Sequence, residues 1–209
     1  MGGELTHERP DVVAVGLTGG IGAGKTTALR FLAESGALAL SADEVVHQLY
    51  ARDDVKQALL GYFGPEVLES SGEVDRRHLA EAVRGRPERL RWLEALTHPL
   101  VGEEISRFIR EAPAGSVVVC EVPLLFEAGM EHYFDLVITI EAGEENRRRR
   151  SVHDFDVEMF GELEALQASS ERRVAGSDLA FFNDGDVERL HAFVRQAYDR
   201  ARLIAAEGR

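Results

Sequence analysis

The residues with the clearest chemical capacity form one short motif near the N-terminus. Positions 19–26 read GGIGAGKT and fit the pattern G-x-x-x-x-G-K-[ST] without a mismatch. Glycines let the backbone curl with its N–H groups facing inward, a geometry that side chains would obstruct. Lys25 can bring a positive charge to β- and γ-phosphates, and the Thr26 hydroxyl can ligate Mg²⁺. The motif therefore predicts a phosphate-binding loop over residues 19–26.

The flanking segments favour this site over the alternative, a glycine-rich structural turn beside a chance Lys-Thr pair. An apolar, β-branched run, Val12–Leu17, predicts a strand before the loop, and Lys25–Ser35 predicts a helix after it. A helix that begins at the loop adds unpaired N–H groups and its positive end. The chain has only two lysines, Lys25 and Lys56, so a lysine in the required position carries more weight than usual.

Asp43 is the candidate carboxylate of the site. It lies just past a second apolar run, Ala37–Leu40, at the strand end where doubly wound sheets bind ligands. There it could accept the proton of an acceptor hydroxyl, orient that hydroxyl, or hold the water shell of a metal. The alternative is that Asp43 only caps a helix starting near Glu44.

The rest of the chain narrows the class of nucleotide-binding protein. A GTPase would need an Asn-Lys-x-Asp element to recognise guanine, and the only other lysine, Lys56, follows Val55. Large ATPases need more chain than 209 residues. A small phosphotransferase remains, with a phosphate-binding loop, a nearby carboxylate and an arginine-bearing lid.

The hydrophobic pattern predicts an α/β fold that positions the loop. Apolar runs typical of buried strands alternate with helical segments, which implies a parallel sheet covered by helices on both faces. The predicted strands are Val12–Leu17, Ala37–Leu40, Val117–Val122, Asp135–Ile140 and Asp178–Asn183. The predicted helices of a long insertion are Val55–Phe63, Arg77–Val83, Glu88–Leu96 and Val101–Ile109. Residues 144–174 and 187–206 are also predicted to be helical.

Composition excludes several classes of partner. The chain has 209 residues, 44% of them hydrophobic and 29% charged, as expected of one folded domain. A net charge of −13 disfavours nucleic acid and anionic membranes, and the apolar runs are too short to span a bilayer. The single cysteine, Cys120, excludes an intrachain disulfide and a cysteine-rich metal site. We expect a cytoplasmic protein, monomeric or weakly homo-oligomeric, with neither nucleic acid nor membrane as partner.

Four segments together resemble one protein family. GLTGGIGAGKTT, SADEVVHQLY, THPLV and VPLLFEAG are similar to segments of the dephospho-CoA kinase family, and the likeness extends from about Val13 to Val194. The resemblance implies the last reaction of coenzyme A biosynthesis, in which ATP with Mg²⁺ phosphorylates the ribose 3′-hydroxyl of dephospho-CoA. It also implies a P-loop NTPase fold: a five-stranded parallel sheet in a core of residues 11–41, 113–143 and 176–209, a helical substrate-binding insertion (42–112) and a helical lid (144–175).

The resemblance also implies roles for individual residues. The expected nucleotide-binding residues are Gly20, Gly22, Ala23, Gly24, Lys25, Thr26, Thr27, Arg173 and Asn183. The residues expected at the acceptor are Thr18, Asp43, His98, Pro123, Leu124 and Leu125. The expected catalytic residues are Asp43, Lys25, Arg149 and Arg150, and the expected metal ligand is Thr26. In the alternative interpretation, His98 is a core or capping histidine and the two leucines are ordinary core residues.

The lid departs from the family pattern. His153-Asp154 stand where the family usually has an arginine followed a few positions later by an acidic residue. Either a neighbouring arginine binds the phosphates instead, or the lid works less well. The candidates for this phosphate clamp are Arg149, Arg150 and Arg173.

Two further positions depart from the family, and one carboxylate has an open role. Ser41 replaces an aspartate two residues before Asp43, and Phe182 replaces an aspartate before Asn183, close to the expected position of the adenine. We expect activity to survive both changes. Glu121 is either a ligand for a Mg²⁺-bound water or a buried hydrogen-bonded carboxylate.

Two rival functions stay open on the sequence. One is another small P-loop kinase that acts on a nucleoside or a sugar. The other is a catalytically weak nucleotide-binding regulator, which would bind ATP without turnover. HPLV and VPLLFE favour dephospho-CoA over other acceptors, because these segments resemble the family's acceptor site rather than its phosphate site.

The net charge of −13 generates a first prediction. Since the overall field repels polyanionic ligands, their binding depends on local cations rather than on long-range attraction. Raising the salt concentration therefore changes the association rate of ATP little, or increases it by screening the repulsion. Stopped-flow measurement of the association rate at several ionic strengths checks this. A steep fall of that rate with salt would contradict it.

Overall fold

The five apolar runs form one sheet in a computed structural model of the chain, which describes residues 11–152 and 157–207. The strands are β1 (Val13–Gly19), β2 (Leu38–Ser41), β3 (Val117–Glu121), β4 (Leu136–Glu141) and β5 (Leu179–Phe182). All pair in parallel, in the order β2-β3-β1-β4-β5. This confirms the predicted five-stranded parallel sheet. The central strand β1 is buried along its whole length, and since successive side chains point to opposite faces, both of its faces are covered.

The described residues divide into two compact units. The first comprises the residues up to Ser41 together with those from Ser106 onward, and the second comprises Ala42–Ile105. The first contains the whole sheet with the helices α1 (Lys25–Glu34), α6 (Glu144–Ser151), α7 (Val157–Leu166), α8 (Ser170–Gly176) and α9 (Val187–Glu207). The second is helical, with α2 (Ala42–Ala51), α3 (Asp53–Phe63), α4 (Arg76–Val83) and most of α5 (Pro87–Glu111).

The sheet unit has a core that anchors the strand leading into the phosphate-binding loop. Leu17 of β1 is completely buried and belongs to one cluster with Leu32 of α1 and Val194 of α9. Because α1 and α9 pack on the same sheet as β1, burial of these apolar side chains fixes the direction in which the loop leaves the strand.

The helical unit has a core of its own. Leu59 and Phe63 of α3 pack with Leu79 of α4, and the rings of Tyr62 and Trp92 stack 4.1 Å apart and nearly parallel. Apolar residues at spacings of three and four place these side chains on one face of each helix.

The prediction of two separate helices, Glu88–Leu96 and Val101–Ile109, is wrong, because α5 is continuous through Pro99. Proline removes one backbone N–H and costs about 3 kcal/mol inside a helix. Leu96 and Leu100 pack against the helical core on either side of it, so burial offsets that cost.

Within the described residues, every helix is too short or too polar to cross a membrane.

Burial in the sheet core predicts the effect of truncating Leu17. Leu17→Ala removes a side chain with no exposed surface and should lower the free energy of unfolding by about 2–5 kcal/mol. Leu203→Ala is the matched control: its side chain is 55% exposed, and its effect should stay within about 0.5 kcal/mol. Urea titration of both variants checks this, and similar losses from the two would contradict the assignment of the core.

Candidate active site

The phosphate-binding loop follows directly from the buried end of β1. Gly22 and Gly24 have φ angles of +69° and +108°, in the left-handed region that glycine adopts most easily. Helix α1 then begins at Lys25, and its N-cap, Gly24, contributes no side-chain cap. The N–H groups of the first turn are therefore not satisfied by a capping side chain, which is the arrangement that binds anions at helix N-termini.

Neighbouring segments approach this loop too closely for side chains. A Cβ atom on Gly22 would lie 2.5 Å from the carbonyl oxygen of Arg147 and 2.6 Å from Ser151 Oγ, both in α6. A Cβ atom on Gly24 would lie 2.6 Å from Asn183 Nδ2, in the segment after β5. The glycines at these two positions are thus required by packing as well as by φ.

Lys25 is held against the backbone of its own loop. Its side chain is buried, and Nζ donates hydrogen bonds to the carbonyl oxygens of Gly19 (3.2 Å) and Gly20 (3.1 Å). Thr26 is exposed and Thr27 is half-buried, both in the first turn of α1. The loop therefore presents an ammonium group and two hydroxyl-bearing residues at one helix end.

Asn183 links the segment after β5 to the phosphate-binding loop. It is buried, and its Nδ2 donates to the carbonyl oxygen of Ala23 at 2.7 Å. Its own backbone N–H donates to the carbonyl oxygen of Glu141 at 2.7 Å. The side chain thus fixes the outer turn of the loop relative to the sheet.

The four consecutive arginines of α6 have different partners. Arg147 donates to Ala142 O and pairs with Glu164, and Arg148 pairs with Glu144 at 2.8 Å. Arg149 is exposed and donates to Asn146 Oδ1. Arg150 donates to the carbonyl oxygens of Gly22, Ala23 and Asn183 at 3.2–3.4 Å.

Of these arginines, Arg150 is the one whose hydrogen bonds, among the described residues, go to the carbonyls of the loop. Burial lowers the pKa of its guanidinium and the charge of Arg149 lowers it further, while Asp184 acts in the opposite direction. Arginine remains protonated under such shifts, so Arg150 brings a full positive charge to the edge of the loop.

Arg173 forms a buried ion pair. Its Nε and Nη2 bind the two carboxylate oxygens of Glu141 at 2.6 and 2.8 Å, and both residues are buried. Thr139 Oγ1 also donates to Glu141, and Ala168 O accepts from Arg173. Because Glu141 ends β4 and Arg173 lies on α8, this bidentate pair fixes α8 to the sheet. No motif or spacing in the sequence had pointed to Glu141.

Gln167 falls, with Arg173, Asp178 and Asn183, at the spacing of the C-terminal pattern of the family that the sequence resembles, but that resemblance did not specify its contacts. Its side chain binds the phosphate-binding loop at Gly19 and Ile21, and it also binds the carbonyl oxygen of Pro123. Thr18 Oγ1 donates to the same Pro123 oxygen at 3.4 Å. These bonds join the loop to the segment that follows β3.

The remaining acceptor candidates lie in different environments. Leu124 is half-buried, whereas Leu125 is completely buried and packs close to Gly16, as a core residue does. In the helical unit, Asp43 is exposed in the first turn of α2, which begins at Ala42 and so places Asp43 inside the helix rather than at its cap. His98 is half-buried in the interior of α5, so it does not cap a helix end.

Three other positions named from the sequence are placed as follows. Glu121 is buried and pairs in register with Leu17 and Ser41 of the adjacent strands. Phe182 is exposed at the end of β5. His153 and Asp154 lie outside the described residues. Among the residues that the structure does describe, no group of three or more His, Cys, Asp or Glu side chains could hold a metal ion.

Comparison with known proteins identifies a family. The family model described as dephospho-CoA kinase matches residues 13–189. A protein named dephospho-CoA kinase from Streptomyces avermitilis is 36% identical over 187 residues, which cover 86% of this chain and 89% of that protein.

Solved structures agree with this match. A crystal structure of a Thermus thermophilus protein is 30% identical with a TM-score of 0.77, and the match covers 90% of this chain and 97% of that one. The structure of dephospho-CoA kinase from Campylobacter jejuni is 21% identical with a TM-score of 0.61 and covers 91% and 97%, a likeness of fold alone. The P-loop kinase fold expected from the sequence is confirmed.

Because α6 lies directly against Gly22, a methyl group at this position should disturb the phosphate-binding loop. Gly22→Ala meets both an unfavourable φ and the Arg147 carbonyl, so it should abolish ATP binding and lower Tm. Gly129→Ala is the matched control, because φ is +63° there and, among the described residues, none but its chain neighbours has an atom within 4 Å of its Cβ position. This control should lower the free energy of unfolding by only about 1–2 kcal/mol, the effect of the positive φ alone. Thermal unfolding and ATP titration check this; ATP binding by Gly22→Ala at parent affinity would contradict it.

Proposed function

The chain belongs to the dephospho-CoA kinase family, and on this premise we propose that it transfers the γ-phosphoryl group of ATP to the ribose 3′-hydroxyl of dephospho-CoA, giving coenzyme A and ADP. Coenzyme A biosynthesis ends with the reaction of this family. The observation that carries the proposal is the preformed phosphate-binding loop with Lys25 at its centre, within the segment that the family model matches.

The triphosphate of ATP binds at the loop and the first turn of α1. Lys25, which is held beside the loop carbonyls, supplies positive charge to the β- and γ-phosphates, and the N–H groups of the helix end bind phosphate oxygens. The packing of Asn183 and Arg150 against the loop supports their place in the nucleotide site.

Arg150 is our proposed phosphate clamp among the three candidates. The Arg173 charge is balanced by Glu141, and Arg149 is exposed and bonded to Asn146. The hydrogen bonds of Arg150 go to neutral carbonyls at the edge of the loop, and the nearby Asp184 is itself paired with Arg189 at 2.8 Å. The charge of Arg150 is therefore available to stabilise the charge of the transferring group.

Mg²⁺ fits the donor set at this helix end. The ion keeps several waters and uses one or two protein oxygens besides substrate phosphates, so a site does not require a carboxylate cluster. Thr26, exposed beside Lys25, is the residue that would hold it. When bound, Mg²⁺ would supply positive charge that neutralises the triphosphate.

Asp43 is the proposed general base. It accepts the proton of the acceptor 3′-hydroxyl as the oxygen bonds to the γ-phosphorus, while the bond to the ADP oxygen breaks. Its exposure in the first turn of α2, directly after β2, supports this role. Thr18, His98, Pro123 and Leu124 are proposed acceptor-binding residues, whereas Leu125 is buried against Gly16 and would only support the segment that carries Pro123 and Leu124. Cytoplasmic location and a monomeric or weakly associated state belong to the same proposal.

If Asp43 is the general base, replacing it should reduce phosphoryl transfer without reducing ATP binding. Asp43→Asn should keep the affinity for ATP and lose most phosphoryl transfer, about a 10²–10⁴-fold fall in kcat, because an amide cannot accept the proton. Glu44→Gln changes a neighbouring carboxylate of the same helical turn and should retain activity. Unchanged turnover by Asp43→Asn would remove Asp43 from the mechanism.

The choice of acceptor is tested by ADP formation from Mg-ATP. The purified protein is incubated with dephospho-CoA, adenosine, a pyrimidine nucleoside or gluconate. The proposal requires that, of these four acceptors, only dephospho-CoA gives rapid ADP formation. A different preferred acceptor would indicate another small P-loop kinase, and ATP binding without turnover would indicate a regulator.

A further inference from the structure

The side-chain amide of Gln167 occupies a junction beside the phosphate-binding loop. Its Oε1 accepts a hydrogen bond from the Ile21 N–H at 2.8 Å, and its Nε2 donates to the carbonyl oxygens of Gly19 and Pro123, each at 3.2 Å. Only the amide oxygen can accept, and only the NH₂ group can donate to carbonyls. These three partners therefore fix the orientation of the amide.

The backbone around Gln167 is itself anchored. The N–H of the next residue, Ala168, donates to Glu127, and its carbonyl accepts from Arg173. Arg173 is in turn held by the buried ion pair with Glu141. The amide of Gln167 is thus presented to the loop from a rigid support rather than from a free chain.

Lys25 and Gln167 share one acceptor. The carbonyl oxygen of Gly19 receives Lys25 Nζ at 3.2 Å and Gln167 Nε2 at 3.2 Å. The other carbonyl that holds Lys25, that of Gly20, also receives the backbone N–H of Ala23 at 3.1 Å. The carbonyls of Gly19 and Gly20 therefore each have a second donor besides the ammonium group.

This duplication matters when a nucleotide binds. An ammonium group that turns toward phosphate oxygens weakens its bonds to the loop carbonyls, and a buried carbonyl left without a donor is costly. The N–H of Ala23 satisfies Gly20, but for Gly19 the second donor is the side chain of Gln167. Without that side chain, movement of Lys25 would take from the Gly19 carbonyl both of the side-chain donors that the described residues give it.

We propose that Gln167 is a positioning residue that releases Lys25 to the triphosphate by satisfying the Gly19 carbonyl in its place. The inference rests on the proposed use of Lys25 in ATP binding and concerns the nucleotide half of the reaction only. Gln167 touches neither the phosphates nor the acceptor in this role; it acts through the lysine.

A double-mutant cycle with Lys25 tests this directly. Gln167→Met keeps the length of the side chain and removes its donor and acceptor. ATP affinity is measured by calorimetry, without acceptor, for the parent, Gln167→Met, Lys25→Met and the double variant. Gln167→Met should weaken ATP binding about tenfold when Lys25 is present, and less than about twofold when Lys25 is replaced by methionine.

A general structural role would give a different pattern. If Gln167→Met weakens ATP binding by the same factor in both backgrounds, or not at all, the proposal is overturned. Gln196→Met is the matched control, since Gln196 is exposed on α9, and it should leave the affinity unchanged.

A second variant keeps the test decisive if Gln167→Met does not fold. Gln167→Glu preserves the size of the side chain and the acceptor for the Ile21 N–H, but loses the NH₂ donor. Its carboxylate repels phosphate in both backgrounds, and this common effect cancels in the cycle. The lost donor to the Gly19 carbonyl matters only where Lys25 can leave that carbonyl, so the weakening factor should be larger with Lys25 present than without it. Equal factors would again overturn the proposal.

The result of the double-mutant cycle does not depend on which acceptor the protein phosphorylates. The cycle measures ATP binding alone, so it reports on Gln167 whichever alcohol is phosphorylated. If the effect of Gln167→Met on ATP affinity depends on Lys25 as predicted but dephospho-CoA is not phosphorylated, the proposed function is wrong and the role of Gln167 stands.

Discussion

The site depends on one constraint: backbone and side-chain groups enclose the phosphate-binding loop, and they can approach it because positions 22 and 24 are glycines. The carbonyl of Arg147 lies against Gly22, and the amide of Asn183 lies against Gly24. Hydrogen bonds from Arg150 and Gln167 then bind the loop carbonyls. The loop is therefore held in shape by α6, the segment before α8 and the segment after β5.

This enclosure lowers the cost of binding a nucleotide. A loop that must fold around its ligand pays conformational entropy at that moment, about 1–2 kcal/mol for each residue ordered. Here the ordering is done during folding, by burial of the sheet core and by the Arg173–Glu141 pair. The pair fixes the position of α8 more than it adds to the free energy of folding, since removing two charges from water offsets much of their attraction.

Positive charge is concentrated at the phosphate-binding loop, although the chain as a whole is negative. The chain carries a net charge of −13, yet α6 places Arg150 at the loop edge, and Lys25 lies within the loop. The other arginines near the loop are compensated: Arg147 by Glu164 and Arg173 by Glu141. An anionic ligand thus meets two cations at short range, whereas the long-range field opposes it.

Much of the fold was predictable from local patterns. The five strands follow from apolar runs. The position of Lys25 at the start of α1 follows from a motif whose residues are neighbours in the sequence. The continuity of α5 was not predictable, because the cost of Pro99 is local whereas the packing of Leu96 and Leu100 that offsets it is tertiary.

The site was predictable only where its contacts are close in sequence. Gln167 bonds to residues up to 148 positions away, and Glu141 meets Arg173 across 32 positions. Amphipathic spacing carries no information about such pairings. The choice of Arg150 over its neighbour Arg149 likewise depends on how α6 packs on the loop, which four consecutive arginines do not reveal.

The central claim, that the loop is shaped before ATP arrives, is tested most directly by amide hydrogen exchange of the nucleotide-free protein. A preformed loop should show slow exchange at Ile21, whose N–H donates to Gln167, and at Ala23, whose N–H donates to the carbonyl of Gly20. Exchange of both amides at the rate of an unstructured peptide, with protection only after ATP is added, would contradict it.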